Sequence, residues 1–116
     1  MHPSEIITSK RQNPPQFIYD MIQVIIDQVD PEKIILFGSY VEGNQTEDSD
    51  VDLLVIMNTT LPPAERQRSI SRFLYPRLAP LDIIVRTPRE IELAKTRVEP
   101  FIHAILEEGI VLYARS

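Results

Sequence analysis

Gly38, Ser39, Asp50, Asp52 and Asp82 are the residues of this sequence whose types and spacing point to chemistry. Asp50 and Asp52 flank Val51 at the head of an apolar run, VDLLVIM. Positions i and i+2 of a strand face the same way, so two carboxylates emerge side by side. Like charges that close raise each other's pKa unless a cation lies between them. Hard divalent cations such as Mg²⁺ take carboxylate, phosphate and water oxygens. Asp-x-Asp alone also describes a polar loop running into a strand. Asp82 narrows the choice, because it opens a second run, LDIIV, patterned like DVDLLV. Gly38-Ser39 follows a third run, KIILF. Free amides at a helix start, with a serine hydroxyl beside them, can hold a phosphate. By itself a Gly-Ser pair after a strand is an ordinary turn.

Topology is what would gather these residues. The connection from the Asp52 strand to the Asp82 strand passes through a helix, which implies two parallel strands. Parallel strands start at the same end of a sheet. If the KIILF strand pairs antiparallel to the Asp52 strand, its end, Gly38-Ser39, reaches that end too. Three carboxylates in one place suit nucleotidyl transfer with two metal ions about 3.5–4 Å apart. In that arrangement Asp50 and Asp52 bind both metals. Asp82 binds the metal that activates the attacking hydroxyl and takes its proton. Ser39 and nearby backbone hold the departing pyrophosphate end of the nucleotide.

The elements that must do this positioning are legible as an α/β pattern of strands alternating with helices. Residues 1–12 read as a flexible arm, and 13–116 as a single domain. Asn13, Pro14 and Gln16 suit the N-cap, first and third positions of a helix, with a capping box. Phe17, Ile18, Met21, Ile22, Ile25, Ile26 and Val29 give it one apolar face, and Asp30-Pro31 ends it. Strands are expected at 33–37, 51–57 and 81–86, and a short helix at 39–42. Pro62-Pro63 opens a long helix running to about Leu78, with Ile70, Phe73, Leu74 and Leu78 inward. Thr87 and Glu90 form a capping box for a short helix. A last helix spans 98–108, closed by Gly109 as a C-terminal cap. Ile110–Tyr113 reads as a final strand at the sheet edge, where an unpaired backbone invites a partner.

Gly38-Ser39, ten residues, then Asp50-Val51-Asp52, with Asp82 on a later strand, resembles the signature of the DNA polymerase β-like nucleotidyltransferase superfamily. The short chain is similar to its minimal nucleotidyltransferases, the MNT or MntA-like proteins, over residues 33 to about 113. The resemblance implies a small mixed β-sheet packed with helices, aspartates that bind Mg²⁺, and ATP as substrate. Many such proteins are antitoxins made beside a HEPN-domain ribonuclease toxin, in type VII toxin–antitoxin pairs. Their best-described mode is transfer of AMP from ATP to a tyrosine of the toxin. Carried over to this sequence, that implies roles for Gly38, Ser39, Asp50, Asp52 and Asp82, and a hetero-oligomer with the toxin. The family often reads Gly-Ser-x-Ala-Arg-Gly. Here Val41 and Glu42 stand at the alanine and basic positions, before Gly43. The missing cation would have to come from elsewhere, and Arg66, Arg86 and Arg89 are the candidates.

Composition bounds the remaining options. The chain has 116 residues, 43% of them hydrophobic, and a net charge of -5. That length fits one domain with its own core. With no cysteine, disulfide scaffolds, zinc ribbons and thiol catalysis are excluded. No apolar run approaches the ~20 residues that span a bilayer, and the polar start lacks a signal-peptide core, so a cytoplasmic protein is expected. The acidic balance is opposite to that of proteins gripping long nucleic acid, and a polymerase is disfavoured. Two alternatives remain: a non-catalytic antitoxin that masks its partner, and an aminoglycoside-type nucleotidyltransferase acting on a small molecule. His103 reads as a half-buried helix residue, Tyr40 and Tyr75 as packing residues before base-stacking ones. Arg66, Arg68, Arg72 and Arg77, and the acids Glu65, Glu90, Glu92, Glu107 and Glu108, read as helix surface.

Overall fold

A computed structural model describes residues 5–6, 14–46, 48–74 and 80–115. Its elements, in chain order, are β1 (Glu5–Ile6), α1 (Gln16–Val29), β2 (Lys33–Phe37), α2 (Ser39–Glu42), β3 (Val51–Ile56), α3 (Pro63–Ser71), β4 (Leu81–Arg86), α4 (Pro88–Lys95), α5 (Pro100–Glu108) and β5 (Ile110–Ala114). A 3-10 turn, Arg72–Leu74, continues α3. The strands form one mixed sheet in the order β1-β5-β2-β3-β4. The expected α/β architecture, a small mixed sheet packed with helices, is what forms.

Alternation along the strands builds a layer on each face of the sheet. Ile34 and Leu36 of β2, Val51, Leu53 and Val55 of β3, and Ile83 and Val85 of β4 meet Ile18, Met21, Ile22 and Ile25 of α1 and Ile70 of α3. The opposite positions, Ile35, Leu54 and Ile56, meet Ile91 and Ala94 of α4 and Ile102 and Ile105 of α5. The period of two in the strands and the 3.6-residue period of α1 both come from the same requirement, one apolar face per layer.

Pairing fixes which ends coincide. β2 runs antiparallel to β3, with Phe37 opposite Asp52 and Lys33 opposite Ile56. β3 runs parallel to β4, with Asp52 opposite Asp82 and Ile56 opposite Arg86. The Val51 amide also donates to Pro80 O at 2.8 Å, tying the two strand starts together.

Four details differ from the sequence reading. Helix α1 starts at Gln16, with Pro15 as its N-cap in extended geometry and no side-chain cap bond. A residue before proline is pushed out of the helical region, so Pro14 cannot open the helix. Gln16 reaches Asp20 instead of closing a capping box, at 3.1 Å; Asn13 lies outside the described residues. The last helix begins at Pro100, two residues later than expected. Gly109 has φ -70 and ψ 161, an extended residue rather than a left-handed cap. A Cβ there would sit 2.5 Å from Ile105 O and 2.5 Å from the Ile35 side chain, so close approach is what calls for glycine. Finally, β5 is not an edge. It lies between β2 and β1, with Glu5 opposite Ala114 and Ile6 opposite Tyr113. The rest of the expected arm, and the expected helical stretch through Tyr75, Arg77 and Leu78, lie outside the described residues.

Candidate active site

The chain leaves β2 at Phe37 and turns through Gly38 into α2. Gly38 has φ 81 and ψ -149, which side chains rarely tolerate. A Cβ at Gly38 would collide with the Asp52 carboxylate. The absence of a side chain therefore lets the turn and the acid share one spot. The ladder of α2 begins when Val41 and Glu42 amides donate to Gly38 O, at 3.0 and 3.1 Å. The amides of Ser39 and Tyr40 precede it, as in any helix start. Gly43 closes α2 in the left-handed region, φ 84.

A tight turn then delivers the acids. Thr46 N donates to Ser49 Oγ at 2.7 Å, and Ser49 N to Thr46 O at 3.1 Å. Asp50 follows, exposed, and Asp52 is half-buried on the first pairs of β3. Asp82, exposed, lies directly across on β4. Asp50, Asp52 and Asp82 share the strand parity of Leu54 and Ile56, the face covered by α4 and α5. The expected gathering of Gly38, Ser39, Asp50, Asp52 and Asp82 at one sheet end is thus what the topology produces.

Electrostatics register the crowding. The Asp52 carboxyl is pushed up to about 6, first by its own burial, then by the charges of Asp82, Asp50 and Glu42. Glu42 is a contributor that its motif position alone did not suggest. The donor set suits a hard cation: several carboxylate oxygens, one of them costly to ionise unaided. Among the described residues, no three His, Cys, Asp or Glu side chains are gathered closely enough to hold a metal by themselves. Mg²⁺ sites commonly use one or two carboxylates and complete the shell with substrate phosphates and water, and this edge offers that much.

The three replacement cations are misplaced for phosphate binding. Arg86 is four residues along β4 from Asp82, about 13 Å at the usual strand rise, opposite Ile56 at the far end of the sheet. Arg66 is also there, buried and paired with Glu90 at 2.6 Å. Arg89 sits in the first turn of α4, just beyond Arg86. Glu90 is not plain helix surface. Its Oε1 accepts from Arg66 and from the Thr87 amide, while its own amide donates to Thr87 Oγ1, completing the expected capping box. Arg66 is likewise not helix surface, and the sequence hides this because a single polar residue in an amphipathic pattern gives no sign of a partner 24 positions on. Tyr40 packs edge-on against Phe17 at 6.3 Å, which leaves it on the α1 face. His103 Nε2 lies 2.9 Å from Ala94 O and 3.0 Å from Arg97 O, bracing the α4–α5 turn.

A strand–turn–helix with Gly-Ser, and paired acids on the next two strands, defines a nucleotidyltransferase-type site. The chain belongs to the family described as "Polymerase beta, Nucleotidyltransferase", whose model matches residues 19–116. Two proteins of Methanocaldococcus jannaschii are similar to it. "Putative protein adenylyltransferase MJ1305" is 36% identical over 72% of this chain and 58% of its own length. "Putative protein adenylyltransferase MJ1379" is 28% identical over 77% of this chain and 83% of its own. Against the first, the chain spans little more than half of the relative's length. A crystal structure described as a toxin-antitoxin with AMP-PNP superposes with a TM-score of 0.59, at 20% identity, over 83% of this chain and 72% of that one. A second, of a "putative nucleotidyltransferase" from Sulfolobus solfataricus, gives 0.57 at 19% identity, over 83% and 76%. These superpositions establish a shared fold. Among the described residues, no helix is long and apolar enough to cross a membrane.

Proposed function

We propose that this protein is a Mg²⁺-dependent nucleotidyltransferase that moves AMP from ATP to a tyrosine hydroxyl of a partner HEPN-domain toxin, and so acts as its antitoxin in the cytoplasm. The observation that carries the reading is the register of Asp52 opposite Asp82 with Gly38 packed on the Asp52 carboxylate. The toxin and its tyrosine rest on the resemblance of the Gly-Ser and Asp-Val-Asp motifs. The names of the archaeal relatives support a protein acceptor, and the toxin-antitoxin complex of like fold supports an antitoxin setting.

In this reading Ser39 and the adjacent backbone bind the β- and γ-phosphates. Asp50, Asp52 and Asp82 are the residues that would hold Mg²⁺, which when bound supplies neutralisation of phosphate charge. The acceptor hydroxyl oxygen bonds to the α-phosphorus as the bond from that phosphorus to the bridging oxygen breaks, and pyrophosphate leaves. Asp82, at the exposed side of the edge, orients the hydroxyl and receives its proton. Gly38 holds Ser39 against the acids by leaving no side chain between them.

A second reading is kept alive by Glu42. It puts a negative charge beside Asp52 where a cation would help bind phosphates, and an antitoxin that only masks its toxin would tolerate that. Incubation of the protein with Mg-ATP and the toxin, followed by intact-mass measurement of the toxin, separates the two. Added AMP units that vanish when Asp50→Asn and Asp52→Asn are combined support the enzyme. An unchanged toxin mass, with neutralisation undiminished by the double variant, rejects it in favour of masking.

A further inference from the structure

A cleft of about 280 Å³ opens beside the acid edge, between α2 and α5. Phe37, Val41, Phe101, Ala104 and Ile105 form its walls, and Gly38 lies on its lining. Phe37 and Phe101 meet edge to face, with ring centroids 5.8 Å apart. Phe101 nevertheless keeps 54% of its surface in water, an unusual exposure for so large an apolar ring. The same Gly38 packs on the Asp52 carboxylate. Cleft and acids are therefore contiguous through one residue. They also lie on one face of the sheet, the face covered by α5.

We propose that this cleft receives the nucleobase of the nucleoside triphosphate. The proposal rests on the nucleotidyltransferase reading above and deepens it. The size is near the lower end of small-ligand pockets, so it takes one heteroaromatic ring system and not a whole substrate. Aromatic walls recognise such a ring by stacking and by edge contact, with little dependence on its hydrogen-bonding pattern. Glu42, exposed, lines the cleft. Its charge repels phosphates, so the neutral end of a nucleotide is the end that enters. With the base in the cleft, the phosphates extend past Gly38 toward Ser39 and the acids.

The test compares binding of Mg-ATP and Mg-tripolyphosphate to the full chain by titration calorimetry. Ala104→Trp fills the cleft from an exposed helix position, and Phe101→Ala removes its exposed wall. Circular dichroism and Tm confirm that each variant folds, and the two act through opposite changes in volume. Each is expected to weaken ATP binding about tenfold, the effect of losing one base–aromatic contact, while tripolyphosphate binding stays unchanged. ATP binding that ignores both variants overturns the base pocket and leaves the enzyme reading standing. If ATP binds normally but transfer to the toxin is lost in both variants, the cleft belongs to the acceptor side chain and the proposal falls. A wild-type chain that binds neither ATP nor tripolyphosphate overturns the nucleotidyltransferase reading, and the pocket with it.

Discussion

A methyl group at Gly38 has nowhere to go. The backbone there lies at φ 81, and the added carbon would meet the Asp52 carboxylate. Gly38→Ala should therefore cost about 1–2 kcal/mol from the backbone alone, and more as Asp52 is displaced. Transfer activity should fall at least about 100-fold, since misplacing a reacting group by about 1 Å costs that much. Tm and kcat, measured on the same preparation, check both. Full activity in a folded variant would remove Gly38 from the site. Glu42 makes the opposite kind of prediction. Its charge helps push Asp52 up, and two of the candidate replacement cations, Arg66 and Arg86, are at the far end of the sheet. Glu42→Arg replaces a repulsion by an attraction for phosphate. At surface-like screening this should lower the KM for ATP by about fivefold. An unchanged KM would mean that Glu42 points its charge away from the nucleotide. The motif position made the departure visible in the sequence, but only the effect of the Glu42 charge on Asp52 gave it a consequence.

At the level of elements, strands were easier to read than helix ends. The runs 33–37 and 51–56 are buried on both faces through most of their length, which left a continuous apolar signal, and 81–86 alternates with one face buried. That Asp52 and Asp82 sit at the starts of parallel strands, at one sheet end, followed from the length of the connection, which needs no side-chain detail; the direct pairing of the two is the structure's addition. Helix starts depended on local competition: Pro14-Pro15 displaced the expected cap by two positions, while Thr87 and Glu90 capped α4 as expected. Pairing across the chain left no trace in any single window. Arg66 and Glu90 join α3 to α4 over 24 positions. Burial alone would push Glu90 up. The hydrogen bonds from Arg66 and the Thr87 amide, with the charges of Arg66 and Arg86, outweigh this and hold it below the usual carboxylate range. Such a group adds stability above its unfolded pKa and loses it as pH falls through the folded one. Arg66→Ala leaves the half-buried Glu90 carboxylate with only the Thr87 amide to bond it, and should cost about 1–2 kcal/mol in urea unfolding at pH 7. The loss should shrink below pH 4. Because the pair sits away from the acid edge, kcat of the folded variant should stay within about twofold of wild type. A large fall in kcat would tie this end of the sheet to the chemistry.

For the molecule as a whole, the acid edge sets stability against function. The net charge is -5, and part of that excess is concentrated around Asp52, whose carboxyl feels the charges of Asp82, Asp50 and Glu42. Asp52 titrates near 6 in the fold against 3.8 ordinarily. A raised carboxyl binds its proton more tightly when folded, so its stabilising effect is complete below pH 4 and is lost as pH climbs through 6. Without divalent metal, the protein should thus carry a penalty at pH 8 that it lacks at pH 4. The group is partly solvated, which holds the penalty to about 1 kcal/mol, or about 5 °C in Tm. Asp52→Asn should erase it: the variant melts higher than wild type at pH 8, and the gain disappears at pH 4. A cation that binds only the folded state stabilises it by mass action. Added Mg²⁺ should therefore raise the wild-type Tm at pH 8 and leave Asp52→Asn nearly unmoved. Melting curves at pH 4 and 8, in EDTA and in Mg²⁺, give all the comparisons at once. Equal Mg²⁺ responses in wild type and variant would show that the cation is held elsewhere. A variant gain that persists at pH 4 would show that the strain at Asp52 is steric rather than electrostatic. The expected pattern is that of a carboxylate cluster that destabilises the fold by itself and is relieved when a cation neutralises it.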